Sequence, residues 1–433
     1  MENPSVDWKR KTLLFMVSQA ISLFGSLLVS YAILWRITLD TQSGFMMTLY
    51  LLFGFLPTFF LSPFAGVWAD RYDRKRLIML ADGLIATATL IMALFFLSGY
   101  RDLWLFFVIA LIRALGSAVQ TPAVSALLPQ IVPEDRLMKT NGLFSSLTSA
   151  IMLISPMISG ALLNFTSIEV ILMIDVVTAI GAILVMLTLR VPAHVRSEDN
   201  PNQKYWQDLV AGVRYIRRHE YIGRFFIYIT LLFIMVTPVA ILTPLQVTRT
   251  FGEDIWRLTA IEVVFSSGML AGGLLIASWG GFRNRIKTIA FSTLMVGITT
   301  FLLGVVPHFW IYLGIMTITG VTMPFYQTPA TVMLQEKVEP DFQGRVFGVM
   351  GMIASGVMPT AMFIFGPLAD RIRIEWLFIG SGVLLTILAG GLAMNKVLIN
   401  AGEPVQAARV IQITRQPVRI RTECPIGQPD CQL

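Results

Sequence analysis

Twelve stretches of about 20 to 25 mostly apolar residues, separated by short polar turns, dominate this chain of 433 residues. In a lipid environment each stretch must satisfy its own backbone N–H and C=O groups, so each reads as an α-helix. At about 1.5 Å rise per residue, each can cross a hydrocarbon core about 30 Å thick. The spans fall near residues 12–35, 46–69, 77–98, 103–127, 140–163 and 168–190, then 224–247, 258–280, 286–306, 309–333, 345–368 and 374–396. Hydrophobic residues make up 55% of the chain and charged residues only 14%, where a soluble domain carries about a quarter charged. The predicted fold class is therefore an all-α membrane protein with twelve transmembrane helices.

The basic residues set an orientation, because loops rich in Lys and Arg resist translocation. Arg71, Arg74, Lys75 and Arg76 follow helix two, Arg136 and Lys139 follow helix four, and Arg283, Arg285 and Lys287 follow helix eight. Loops of the opposite parity are much poorer, with Arg101, Arg249, Arg257, Arg371 and Arg373 among their few basic residues. Both termini are thus expected in the cytoplasm, with the chain in the inner membrane of a bacterial cell. Lys9-Arg10-Lys11 ahead of an apolar run resembles a secretory signal, but the run is too long for a signal core and carries no small-residue cleavage site. It reads as a retained first helix.

A polar break with Pro192 and Pro201 divides the spans into two groups of six. The expected domains are an amino-terminal bundle (1–190), a linker (191–223), a carboxy-terminal bundle (224–396) and a cytoplasmic tail (397–433). In the linker Trp206, Leu209, Val210, Val213 and Ile216 recur at helical spacing among arginines, which predicts an amphipathic helix on the cytoplasmic interface. Gln120-Thr121-Pro122-Ala123 recurs as Gln327-Thr328-Pro329-Ala330, and Pro133-Glu134 as Pro340-Asp341, both displaced by 207 positions. Helices four and ten are then counterparts in two parallel repeats.

The net charge of +7 does not imply a nucleic acid partner, because the basic residues sit in loops between apolar runs instead of forming a folded basic surface with aromatics. Cys424 and Cys431 both lie in the tail and make neither a disulfide framework nor a metal cluster. There is no phosphate-binding loop, no His-Glu-x-x-His site and no convincing nucleophile triad, so neither an enzyme nor an ATP-driven pump is expected, and no metal or cofactor.

After helix two the chain reads Gly66-Val67-Trp68-Ala69-Asp70-Arg71-Tyr72-Asp73-Arg74-Lys75-Arg76. This run resembles the signature of the major facilitator superfamily between helices two and three, with Asp73 where that pattern usually has glycine. The resemblance implies the major facilitator fold and a conformational latch formed by Gly66, Asp70, Arg71, Arg74 and Lys75, with Asp70 meeting the positive end of helix eleven. Arg113 with Gly116 is similar to the family's arginine motif on helix four, spaced one residue tighter, and implies proton coupling; the alternative is a structural ion pair. Ser155-Pro156-Met157-Ile158-Ser159-Gly160 looks like the exporter-associated motif of helix five with serines replacing glycines, so Ser155, Pro156 and Gly160 mark either export or close helix packing. Within the superfamily the chain resembles the macrolide efflux branch, through Gly54-Phe55-Leu56-Pro57, Ile174-Asp175-Val176, Gly268 to Leu275 and Val321 to Tyr326.

Two carboxylates interrupt apolar spans, Asp175 in helix six and Glu262 near the outer end of helix eight, and either could carry a proton or be neutralised by a partner. Asp82 lies near the cytoplasmic end of helix three and is expected to serve the basic loop. A polar and aromatic stripe suits a large ligand with scattered hydroxyls: Gln19, Ser22 and Tyr31 on helix one, Gln120 on helix four, Tyr228 on helix seven, and Met323, Tyr326 and Gln327 on helix ten. The same residues could instead serve helix packing. The resulting expectation is a monomeric secondary exporter, proton-coupled and working by alternating access, for a drug-like small molecule such as a macrolide. A siderophore or lipid exporter and a transport-inactive sensor of the same fold are the alternatives.

Overall fold

A computed structural model describes residues 4–189, 191 and 205–403, apart from a few side chains within the helices. The linker from Pro192 to Lys204 and the tail with Cys424 and Cys431 lie outside the described residues. The amino-terminal half contains α1 (Pro4–Thr41), α2 (Gly44–Arg71), α3 (Arg74–Leu97), α4 (Trp104–Ile131), α5 (Leu137–Phe165) and α6 (Ile168–Thr188). A linker helix, α7 (Tyr205–Arg218), leads to α8 (Glu220–Phe251), α9 (Ile255–Trp279), α10 (Arg285–Leu303), α11 (Phe309–Lys337), α12 (Pro340–Arg371) and α13 (Ile374–Met394), followed by a short α14 (Lys396–Ala401). Twelve of these helices are long and apolar enough to span a membrane, as the hydropathy predicts.

The helices run past the predicted apolar limits because polar residues at their ends still satisfy backbone groups. Ser43 caps α2 by accepting from the N–H of Met46, and Asn284 caps α10 by accepting from Ile286 and Lys287. Asp73 accepts from the N–H of Arg76 at 3.0 Å, so the departure from the family's glycine supplies the N-cap of α3. Gly252 follows α8 with φ +115° and Gly280 ends α9 with φ +75°, conformations that a side chain would oppose.

Each half buries its own apolar core. Ile33, Ile37 and Phe106 centre one cluster of the first half, and Phe15, Leu127 and Met186 centre another. Phe225, Leu242, Tyr312 and Phe378 belong to the core of the second half, which also takes in Trp35 of α1 and Met47 of α2. Those two fully buried side chains cross the boundary between the halves. Helices α9 and α11 pack backbone to backbone at Gly268, Gly272 and Gly320, where an added Cβ would strike the facing carbonyls of Thr317, Val321 and Phe265.

The amphipathic linker helix is partly a protein contact. Tyr215 stacks on Phe342 of α12 with ring centroids 4.4 Å apart, and its hydroxyl accepts from the N–H of Glu339 at 3.4 Å. Arg217 and Arg218 remain exposed.

Candidate functional site

The mid-helix arginine has a defined partner. Arg113 Nη1 lies 2.5 Å from Asp175 Oδ2, donates to Thr89 Oγ1 at 3.0 Å, and its Nη2 donates to the carbonyl of Ser26 at 2.9 Å. This ties α4 to α6, α3 and α1. Asp175 is 1% exposed and Arg113 8%, so the two charges offset a desolvation cost that neither could bear alone.

One helical turn away along α1, Ser22 donates to Asp82 Oδ1 at 2.6 Å and Gln120 Nε2 donates to the same oxygen at 2.7 Å. Asp82 is 3% exposed and faces these two side chains, not the basic loop that the sequence position suggested. The reason is helical phase: position 82 turns toward α1 and α4 inside the bundle, away from the charged turn. Sequence reading assigned Ser22 and Gln120 to a ligand stripe and Asp82 to the basic loop, and did not bring the three together; a carboxylate in an apolar span was the available signal.

Gln19, Ser22, Ser26, Ser117, Gln120 and Thr148 line a cavity of about 270 Å³ between α1, α4 and α5. Gln19 Nε2 is buried there without a hydrogen-bond partner, an arrangement that leaves a donor for a ligand or water. In the other half, α8, α9 and α11 enclose a second cavity of about 140 Å³ with Glu262, Phe265, Met316, Thr319 and Met323 on its walls. Tyr31 of α1 lies tilted against Trp35, with ring centroids 5.7 Å apart.

The remaining predicted stripe divides. Tyr228 is buried and hydrogen-bonded to Thr293 of α10, inside the second bundle and not on either cavity wall. Tyr326 is half-buried with its hydroxyl lacking a partner, and Gln327 is exposed. The parallel repeat therefore pairs a hydrogen-bonded Gln120 with an exposed Gln327.

The basic run after α2 fastens helix ends. Arg74 donates to the carbonyls of Ala69 at 3.0 Å and Ala126 at 2.8 Å, while Lys75 Nζ donates to those of Leu187 at 3.0 Å and Leu189 at 2.8 Å. Cations here meet the negative ends of α2, α4 and α6. Arg71 is exposed; the surroundings of Gly66 and the side chain of Asp70 lie outside what is described.

In α5, Ser155 is fully buried with its hydroxyl unpartnered, Pro156 is buried, and Ser159 donates to the carbonyl of Leu28 at 2.9 Å. Gly160 lets α5 meet α9 across the boundary between the halves: an added Cβ would strike Thr259 and come within 3.0 Å of Trp35. Small residues here allow two helices to approach closely, whichever direction is transported.

Polar contacts between the halves gather at the same end of the molecule. Asp370, near the end of α12, accepts from the N–H groups of Gly44 at 2.8 Å and Phe45 at 2.9 Å and from the hydroxyl of Ser43 at 2.7 Å. Arg249 donates to Asp370 at 2.8 Å and also to the carbonyl of Gln42. Gln42, in the turn between α1 and α2, takes a left-handed φ of +49° and reaches Thr248 and Glu253 of the second half. Gly44 and Gly366 let α2 and α12 touch backbone to backbone beneath this clasp. A second repeat now becomes visible: α2 ends Gly66-Val67-Trp68-Ala69-Asp70-Arg71 and α12 ends Gly366-Pro367-Leu368-Ala369-Asp370-Arg371, 300 positions later. The two helices run antiparallel, so the matching carboxylates stand at opposite ends of the molecule.

Comparison with known proteins agrees with this geometry. The family model for the Major Facilitator Superfamily matches residues 15–360. Macrolide efflux protein A of Streptococcus pyogenes is 31% identical over 385 residues, covering 88% of this chain and 95% of that protein. Macrolide efflux protein A of Enterococcus faecalis is 32% identical over 313 residues, covering 72% of this chain and 97% of that protein. Among solved structures, a nucleoside transporter superposes with a TM-score of 0.67 at 13% identity, covering 88% of this chain and 99% of its own, a likeness of fold alone. With its two six-helix halves, its signature after α2 and these relatives, the chain belongs to the major facilitator superfamily and is a multi-pass membrane transporter of the macrolide efflux type.

Proposed function

We propose that this protein exports a macrolide-like, drug-sized molecule across the bacterial inner membrane by alternating access, driven by inward proton flow. The observation that carries the reading is the Asp370 clasp. Two separately cored halves are fastened at one end, and each half holds a cavity lined by residues of its membrane spans. The distribution of Lys and Arg supports cytoplasmic termini, which puts the clasp on the outer side and makes this the inward-facing arrangement. In the opposite arrangement Asp70 would meet the amino-terminal end of α12, the family's latch, with Arg71, Arg74 and Lys75 holding the turn that carries it.

Proton movement is assigned to Asp175 with Arg113, and to Glu262. Protonating Asp175 would release the guanidinium from its ion pair and loosen the junction of α1, α3, α4 and α6, a change that transport could use. The protein acts as a monomer in the bilayer, and its relatives' macrolide names supply the leading substrate class.

Efflux of a radiolabelled 14-membered macrolide from energised cells, with and without a protonophore, tests the proposal. Protonophore-sensitive efflux that is lost in Asp175→Asn and Arg113→Ala is the expected result. Full drug retention in cells holding well-folded protein would remove the macrolide assignment.

A further inference from the structure

An apolar groove of about 630 Å³ runs along the boundary between the halves. Phe55, Phe59 and Phe60 of α2 form one wall and residues of α12 from Val349 to Phe365 the other, with Thr230 and Ile234 of α8 completing the lining. The rim faces hydrocarbon: Phe60 is 66% exposed and Ile364 68%. The sixteen steps from Val349 to Phe365, at about 1.5 Å each, give a length of about 24 Å, enough for an acyl chain in one leaflet about 15 Å deep. An added Cβ at Gly356 would meet only Phe55, at 3.7 Å, so this wall stands open. Toward the clasp the groove closes where Gly44 and Gly366 bring α2 and α12 together.

At the opposite end Val213 of α7 joins the lining. Arg217 lies one helical turn further along the same face of α7, and Arg214, Arg217 and Arg218 are all exposed. The neighbouring acid Glu220 is taken by Arg224. An amphipathic helix of this kind lies at headgroup level, where basic side chains attract anionic lipid. A groove that faces hydrocarbon and ends beside three cations is complementary to a molecule with a long apolar chain and an anionic head. A compact, neutral ligand would match neither its length nor its charge.

We propose that this groove binds an anionic phospholipid of the cytoplasmic leaflet, with an acyl chain between α2 and α12 and the headgroup on the arginines of α7, and that the bound lipid holds the inward-facing arrangement. The binding site stands on the groove and its charges; the conformational effect rests on the alternating-access reading. When the cytoplasmic end closes, α2 and α12 come together along these walls, so the chain must leave first. A ligand accepted by one arrangement and excluded from the other shifts the population toward the first. The anionic lipid content of the membrane thereby sets how readily the transporter turns outward.

The test uses full-length protein in nanodiscs of phosphatidylglycerol or of phosphatidylcholine, each with a trace of the same lipid carrying a diazirine on one acyl chain. Peptide mapping after photolysis should find the phosphatidylglycerol probe on residues 55–60 and 349–365, and the triple variant Arg214→Gln/Arg217→Gln/Arg218→Gln should lower that yield severalfold. Maleimide labelling of Thr259→Cys, in a background carrying Cys424→Ser and Cys431→Ser, should be about fivefold slower in phosphatidylglycerol than in phosphatidylcholine. The triple variant should label at one rate in both lipids. Gly356→Trp, which fills the groove and keeps the arginines, should lose both the cross-link and the lipid dependence. Cross-links confined to other faces, equal yields from the two lipids, or a lipid dependence that survives Gly356→Trp would each overturn the proposal. So would displacement of the cross-link by a macrolide, which gives the groove to substrate, or a dimer contact that covers it. Groove cross-linking in protein that exports no macrolide would support the site and remove the export reading instead.

Discussion

Asp370 accepts a hydrogen bond from the backbone N–H of Gly44 at 2.8 Å, so a carboxylate of α12 caps the positive end of α2 across the boundary between the halves. An anion at a helix amino terminus is favourable, and here the favourable arrangement exists only while this end is closed. The structure thus contains a contact whose energy biases one conformation. The family match stops at residue 360, short of Asp370.

Replacing Asp370 with alanine should open this end. Asp370 and Arg249 are each more than a quarter exposed, so their contacts are worth about 1–2 kcal/mol after solvent screening. That corresponds to an approximately tenfold rise in labelling rate for a cysteine at Thr259, read with a maleimide in a background carrying Cys424→Ser and Cys431→Ser. An unchanged rate would show that apolar packing around Trp35 and Met47 closes this end unaided.

Breaking the buried pair from either side should be damaging. Arg113→Ala leaves Asp175 buried without its cation and Asp175→Asn leaves the guanidinium without its anion, each a loss of about 3–5 kcal/mol. Thermal unfolding in detergent should rank the double variant Arg113→Ala/Asp175→Asn above Arg113→Ala alone. The reverse order would show that the pair is not the main constraint at this junction.

Gly160→Val should block closure of α5 against α9, because the added carbons occupy the space of Thr259 and Trp35. Efflux should fall severalfold and the Thr259→Cys labelling rate should rise. Gly160→Ala paired with Thr259→Gly should recover part of the activity, since the second change vacates the site the first one fills. No recovery would argue that Gly160 acts through the bend of α5 instead.

Asp82→Ala should strand the donors of Ser22 and Gln120, costing about 1–3 kcal/mol in stability. Asp82→Asn, whose side-chain oxygen can still accept from both, should cost less than half of that. Similar losses in the two variants would show that the carboxylate charge matters more than the hydrogen bonds.

Much of the architecture was legible because a bilayer leaves a chain few choices. Backbone groups in hydrocarbon must pair within their own helix, so span number and the division into halves follow from apolar runs and one polar break. Arg113 and Asp175 stood out for the same reason, since charge in such runs is costly enough to require an explanation. The repeat between Gln120 and Gln327 was visible because parallel copies keep their order along the chain.

Their partners were not legible. Asp82 reaches Ser22 across 60 positions and Gln120 across 38, and Tyr228 turns into the bundle toward Thr293, because side-chain direction depends on helix rotation and tilt, which neighbouring packing sets. The matching Asp70 and Asp370 carry the same local pattern, but its meaning depends on α2 and α12 lying antiparallel against each other. The sequence by itself determined how many times the chain crosses the membrane and which charged groups would need partners, because those follow from solvation. Only the tertiary structure decided who the partners are and which end is clasped, because those depend on where helices distant in the chain meet.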